Sequence, residues 1–177
     1  MNSERLYRLY KNDTDSKLFG EFTSFIDLWL SKFNDGSFPQ WSDYQFEDFP
    51  DWYGRLSLAK INDTKELDIV LWGTQLVDWW GFDFTNKSIG FKKEAYPEAW
   101  NEAEKTYHDT LVETKSIGMW KGNLDWVGRG YINIRNIDLP LSQDGKISHI
   151  LSAYIKFEPE TYIEISAEPT HTFYFKE

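Results

Sequence analysis

The 177-residue sequence contains no cysteine. Disulfides, thiolate-bound zinc, iron–sulfur clusters and sulfur-attached chromophores are therefore excluded. Positive charge is scarce: 19 Lys and Arg face 29 Asp and Glu, giving a formal net charge of −10 and a pI near 4.8. Such a balance opposes nucleic acid and anionic lipid, which demand a basic surface, and Lys92 and Lys93 are too few to reverse it. No stretch approaches the roughly 20 apolar residues of a membrane span. The polar start, MNSERLYRLYKND, lacks the apolar centre of a signal peptide. A cytoplasmic protein, with no membrane or nucleic-acid partner, is the expectation. Internal repeats and low-complexity tracts are also missing.

Aromatics are abundant, with nine Trp, ten Tyr and thirteen Phe making up 18% of the chain, while 41% of residues are hydrophobic. A sizeable core is affordable, and the disordered class is excluded. Core filling accounts for most such rings. The alternative is that some of them wall a binding pocket.

The segment 65–90, KELDIVLWGTQLVDWWGFDFTNKSIG, reads most clearly. Leu67, Ile69 and Leu71 alternate with Asp68, Val70 and Trp72 as in a β-strand. Gly73 ends the run, Thr74 is placed to cap a short helix through Trp80, and Gly81 suits its left-handed end. Upstream, Asp13 to Ser16 supply capping oxygens for a helix expected to reach Phe33, with an apolar stripe from Leu18 to Phe33. That stripe either packs on its own domain or docks a second copy. The dimer reading places Phe22, Phe25, Ile26, Trp29 and Phe33 at the interface.

Residues 38–52, rich in aromatic and acidic residues, read as an ordered connector. Residues 54–62 and the strand from Lys65 read as a hairpin turning at Asn62, Asp63 and Thr64, and Pro97 opens a second long helix ending near Lys115. Three strands follow, at 117–125, 130–141 and 146–157, the last two joined by Ser142, Gln143, Asp144 and Gly145 as a tight turn. The middle one has a phase problem, since Ile132 and Ile134 share one face and Ile137 and Leu139 the other. A bulge near Arg135 and Asn136 would restore register. The tail alternates on both sides of Glu168 and Pro169, as another hairpin would.

At sequence level, LWGTQLVDWWGFDFTNKSIG resembles a segment of a bacterial PAS sensory family with the pattern G-T-x-[LV]-x-x-x-x-G-x-D-x-T, through Gly73, Thr74, Leu76, Gly81, Asp83 and Thr85. IDLPLSQDGKISHILSAYIKF is similar to the same family's L-P-L-S-x-D-G ending, through Leu139, Pro140, Leu141, Ser142, Asp144 and Gly145. The likeness covers about residues 20 to 157. One departure is Asn86, where the family tends to have Gly; Asn also tolerates left-handed geometry. The resemblance implies an α+β fold: a PAS-like five-stranded antiparallel sheet with helices on one face, an N-terminal helix and a C-terminal extension. The corresponding division is 1–53 for helix and linker, 54–157 for the PAS-like domain and 158–177 for the extension. It further implies a non-enzymatic sensor that binds a small molecule and signals through a homodimer or a separate partner protein.

Candidate pocket walls are Leu76, Trp80, Phe84, Tyr107, Leu111, Met119, Ile134 and Leu151, with Asn133, Arg135 and Tyr131 as orienting polar groups; a structural role at a bulge is the other reading of Arg135. Cysteine-dependent flavin and coumarate chromophores are excluded. Haem would rest on His108 alone, which otherwise reads as a solvated helix residue, and His149 and His171 add no metal spacing. The rival class is a carbohydrate-binding module, with Trp residues exposed in a row, or a hydrolase pairing Asp83 with Asp125.

Overall fold

The computed structural model describes residues 4–176. Strand β1 (Glu4–Tyr10) leads through a 3-10 turn at Ser16–Phe22 into helix α1 (Thr23–Ser31). The hairpin β2 (Leu56–Ile61) and β3 (Leu67–Trp72) precedes α2 (Thr74–Trp80) and a short β4 (Ser88–Ile89). Helix α3 (Glu102–Thr114) is followed by β5 (Ile117–Leu124), β6 (Arg129–Gln143), β7 (Lys146–Phe157) and β8 (His171–Lys176). No helix among the described residues is long and apolar enough to cross a membrane.

The strands form one antiparallel sheet in the order β4-β3-β2-β7-β6-β5-β1-β8. This corrects the expected PAS-like five-stranded sheet. The five strands expected between 54 and 157 are contiguous in the sheet, but β4 extends one edge and β1, then β8, extend the other. The physical reason is the outer edge of β5, whose backbone groups need partners. ERLYRLY supplies them, pairing Leu6 with Lys121 and Leu9 with Gly118. The tail then pairs back onto β1, Leu6 opposite Tyr174, rather than folding into a hairpin of its own. A strand from before residue 54 and one from after residue 157 therefore belong to the same sheet as those between.

Helices cover both faces rather than one. On the first face, α1 and the 38–52 connector pack Phe22, Phe25, Ile26, Trp29 and Trp52 against Met119, Ile137, Leu139, Leu141 and Leu151. On the second, α2 and α3 pack Leu76, Trp80, Phe84, Tyr107 and Leu111 against Ala59, Ile69, Ile134, Ile150 and Tyr154. Because the sheet is buried on both sides, β6 needs no bulge at Arg135 and Asn136; it pairs with β7 without a shift from Asn133 to Leu141. Asn136 and Asp138 simply continue the face begun by Ile132 and Ile134.

The N-terminal stripe packs in cis. Phe22, Ile26 and Trp29 are fully enclosed and Phe25 nearly so, Phe33 packs at the margin, and Trp29 Nε1 donates to the Pro140 carbonyl at 3.1 Å. These side chains are spent on their own core, while Leu18 and Leu30 of the same stripe stay exposed. The helix is also shorter than expected, because Gly20 at φ 58°, ψ −122° breaks it from the 3-10 turn before it. Around α2 the expectations hold closely: Gly81 ends it at φ 74°, and Asn86 sits at φ 62°. Gly73, not Thr74, occupies the N-cap position.

Candidate functional site

Between the second face of the sheet and helices α2 and α3 lies a cavity of about 70 Å³. Its floor follows from strand pairing. Ser57 of β2 sits opposite Ser152 of β7, Ser152 opposite Asp138 of β6, and Asp138 opposite Gly118 of β5. Three polar side chains and a bare glycine thus line up across four strands, on a face whose apolar residues include Ala59, Ile69, Ile134 and Ile150.

Asp138 is the centre of this row and only 2% exposed. Its Oδ1 accepts from Ser152 Oγ at 2.5 Å and from Asn136 Nδ2 at 2.7 Å, while Oδ2 accepts from Tyr107 at 2.6 Å. Tyr107 reaches it from α3 because Gly118 carries no side chain; a Cβ there would overlap the Tyr107 hydroxyl and Leu111. Asn136 Oδ1 accepts from the Trp120 backbone at 2.9 Å, and Ser57 Oγ lies 3.0 Å from the Tyr154 hydroxyl. Burial pushes the Asp138 carboxyl above the usual carboxylate range, against the opposing pull of His108 and of the Ser152 and Tyr107 hydrogen bonds. Burial likewise raises the Tyr107 and Tyr154 hydroxyls, with Asp138 adding to it, so both remain protonated.

Trp72, Trp80, Trp120, Trp126 and Tyr154 supply the aromatic walls. Arg5 and Tyr7 of β1 meet Glu104 and His108 of α3 at a second polar end. Glu104 accepts from Arg5 Nη1 at 3.2 Å and from Tyr7 at 3.1 Å, with His108 Nε2 at 3.7 Å. His108 is not solvated: it is 8% exposed and stacks on Trp100 at 5.3 Å and 4°. Three buried polar atoms of cavity-lining residues have no partner among the described residues: Arg5 Nε, His108 Nδ1 and Trp72 Nε1. Buried polar atoms are seldom left so, and water or a ligand in the cavity would complete their hydrogen bonding.

Of the residues expected to bind ligand, Trp80 lines the cavity and Tyr107 anchors its floor. Leu76, Phe84, Leu111 and Ile134 are packed around it in the same cluster. Met119 and Leu151 lie on the opposite face, in the α1 core. Arg135 points there too: it donates to the Ile163 carbonyl at 3.1 Å, pairs with Glu21 and lies over the Tyr162 ring at 5.1 Å, so it fastens the C-terminal segment. Asn133 borders an open groove with Lys121 and Tyr174, and Tyr131 is exposed.

Asp83 accepts from the Thr85 backbone in its turn, Asp125 opens another turn, and neither lines the cavity. Trp41, Trp72, Trp79, Trp120 and Trp126 are partly exposed and the other four Trp residues are buried. Sequence reasoning missed Asp138, Ser57, Ser152, Arg5 and Glu104. The signal for Asp138 was its parity with Ile132 and Ile134, which places a carboxylate on an inward face.

Comparison with protein-family models, with curated proteins and with solved structures gives no match.

Proposed function

We propose that this chain is a non-catalytic, small-molecule-binding domain of the sensory kind, with its ligand in the chamber beneath α2 and α3. One observation carries the reading: an aromatic-walled cavity holds a buried carboxyl and is bordered by three partnerless polar atoms. Binding sites are commonly apolar hollows with a few convergent polar groups. The polar groups here are tied into a network with no exposed nucleophile, which favours recognition over turnover. Kinship with the PAS sensory family, part of the same proposal, rests on the sequence resemblance alone. A cytoplasmic location and signalling through a homodimer or a separate partner protein complete the proposal.

Native mass spectrometry of the chain purified from its own host tests this. The expected result is a non-covalently bound mass that disappears on Trp80→Ala while the protein remains folded. Absence of any bound mass, together with no shift in melting temperature across a metabolite panel, overturns the binding reading.

A further inference from the structure

The rings around the chamber meet nearly at right angles. Trp80 stands at 81° to Trp72, 85° to Trp120 and 84° to Tyr154, with centroids 5.2, 6.4 and 5.6 Å apart. Trp72 and Tyr154 are 5.9 Å apart at 63°. All four rings line the cavity, and a cation is attracted by aromatic faces, which carry negative potential.

Charge in the chamber is unevenly matched. Arg5 is held by Glu104 at 3.2 Å, and its guanidinium lies over Trp126 and Phe175, so that pair cancels. Asp138 has no such counter-ion: its three hydrogen bonds come from the neutral donors Ser152, Asn136 and Tyr107. Glu104 and His108 from α3 act on it at longer range, as does the Tyr154 hydroxyl on β7, while Arg5 and Tyr7 from β1 are engaged with Glu104. A buried carboxylate lacking a positive partner is costly, and a cation at this point removes the cost.

We infer that the chamber takes the ammonium head of a small organic amine, its nitrogen set between the Asp138 carboxylate and the corner formed by Trp72, Trp80, Trp120 and Tyr154. This rests on the binding reading above. Size narrows the class to a small head group: a cavity of about 70 Å³ is far below the few hundred Å³ of a typical ligand pocket. Hydrogen bonding at the carboxylate selects an N–H donor, while the orphaned donors Arg5 Nε and Trp72 Nε1 call for an acceptor elsewhere in the ligand. A carboxylate offers about four lone-pair sites; the three donors leave one for an ammonium N–H, and the remaining positive charge faces the rings.

The test is titration of the full chain with methylammonium and ethylammonium chloride at constant ionic strength, followed by tryptophan fluorescence. Sodium acetate, acetamide and tetramethylammonium chloride are the comparison probes. Saturable responses are expected with the two primary ammonium salts alone, with affinity rising as pH rises because the cation favours ionised Asp138. Asp138→Asn is expected to weaken binding about tenfold or more and to abolish the pH dependence, and Trp120→Leu to weaken it roughly three- to tenfold. Trp120→Leu leaves the floor side chains in place, so it decides the matter if the Asn variant does not fold. Equal saturation by acetate, acetamide or tetramethylammonium overturns the inference, as do unchanged affinities in the folded variants or no saturation by the primary salts. A bound native mass without an amine sinks this inference and keeps the binding domain; no bound mass and no response to any compound removes both.

Discussion

On one face of the sheet, β6 offers Ile137, Leu139 and Leu141 to a helix that answers with Phe25, Ile26 and Trp29. On the other, the same strand offers Asn136 and Asp138 to helices that answer with Tyr107 and a partly filled space. Neighbouring residues along one backbone thus meet opposite environments. The contrast teaches how an internal cavity with a buried carboxyl is tolerated: the α1 face is packed with apolar side chains and supplies cohesion that the α2–α3 face forgoes.

Trp29→Ala is the heaviest blow to the packed face. Losing the fully buried indole should cost about 3–5 kcal/mol, and it also strands the Pro140 carbonyl that accepts its Nε1–H. Urea denaturation measures it; a cost below about 1 kcal/mol would mean that the face is not closely packed. Gly118→Ala attacks the other face by adding volume. The new methyl overlaps the Tyr107 hydroxyl and Leu111, with an expected cost of roughly 1–3 kcal/mol. It should also weaken any ligand bound in the chamber, whereas Trp29→Ala should leave the affinity of the folded protein intact.

Parts of this contrast were legible from residues alone. The β3–α2 corner was, because its signals are local: alternation through Trp72, a left-handed Gly81 and a tolerant Asn86. The amphipathic stripe of α1 was equally plain, but helical periodicity says only that a face is covered, not by what. Strand β1 escaped notice because its inward residues include Arg5, which is buried only through Glu104, 99 positions away. Met119 and Leu151 were placed in the wrong layer for a related reason: when a sheet is buried on both sides, apolar content no longer identifies the face. Asp138 had a readable parity, yet the assumption of a bulge turned that signal into noise.

The pH response separates the two faces further. The folded-state pKa of Asp138 lies above its ordinary value of 3.8 because burial disfavours the charged form. Between those two values the native state binds more protons than the unfolded one, so stability falls as pH rises. The contribution is fully present below the unfolded pKa and is lost as pH climbs through the folded one. Asp138→Asn removes that slope, so the variant should gain on the parent protein as pH is raised from 4 toward neutrality in urea titrations. A constant difference across that range would contradict the assigned environment.

Tyr154→Phe is the mildest change to the same face. It keeps the ring against Trp72 and Trp80 and removes one hydroxyl, leaving the buried Ser57 Oγ without the neighbour it has at 3.0 Å. The expected loss is about 1 kcal/mol, read by thermal or urea unfolding. Because the π face survives, amine affinity should change little, in contrast with Trp120→Leu. A large loss of affinity in Tyr154→Phe would instead mean that the hydroxyl itself holds the ligand, and the chamber would then be a hydrogen-bonding site lined by rings rather than an aromatic corner above a carboxylate.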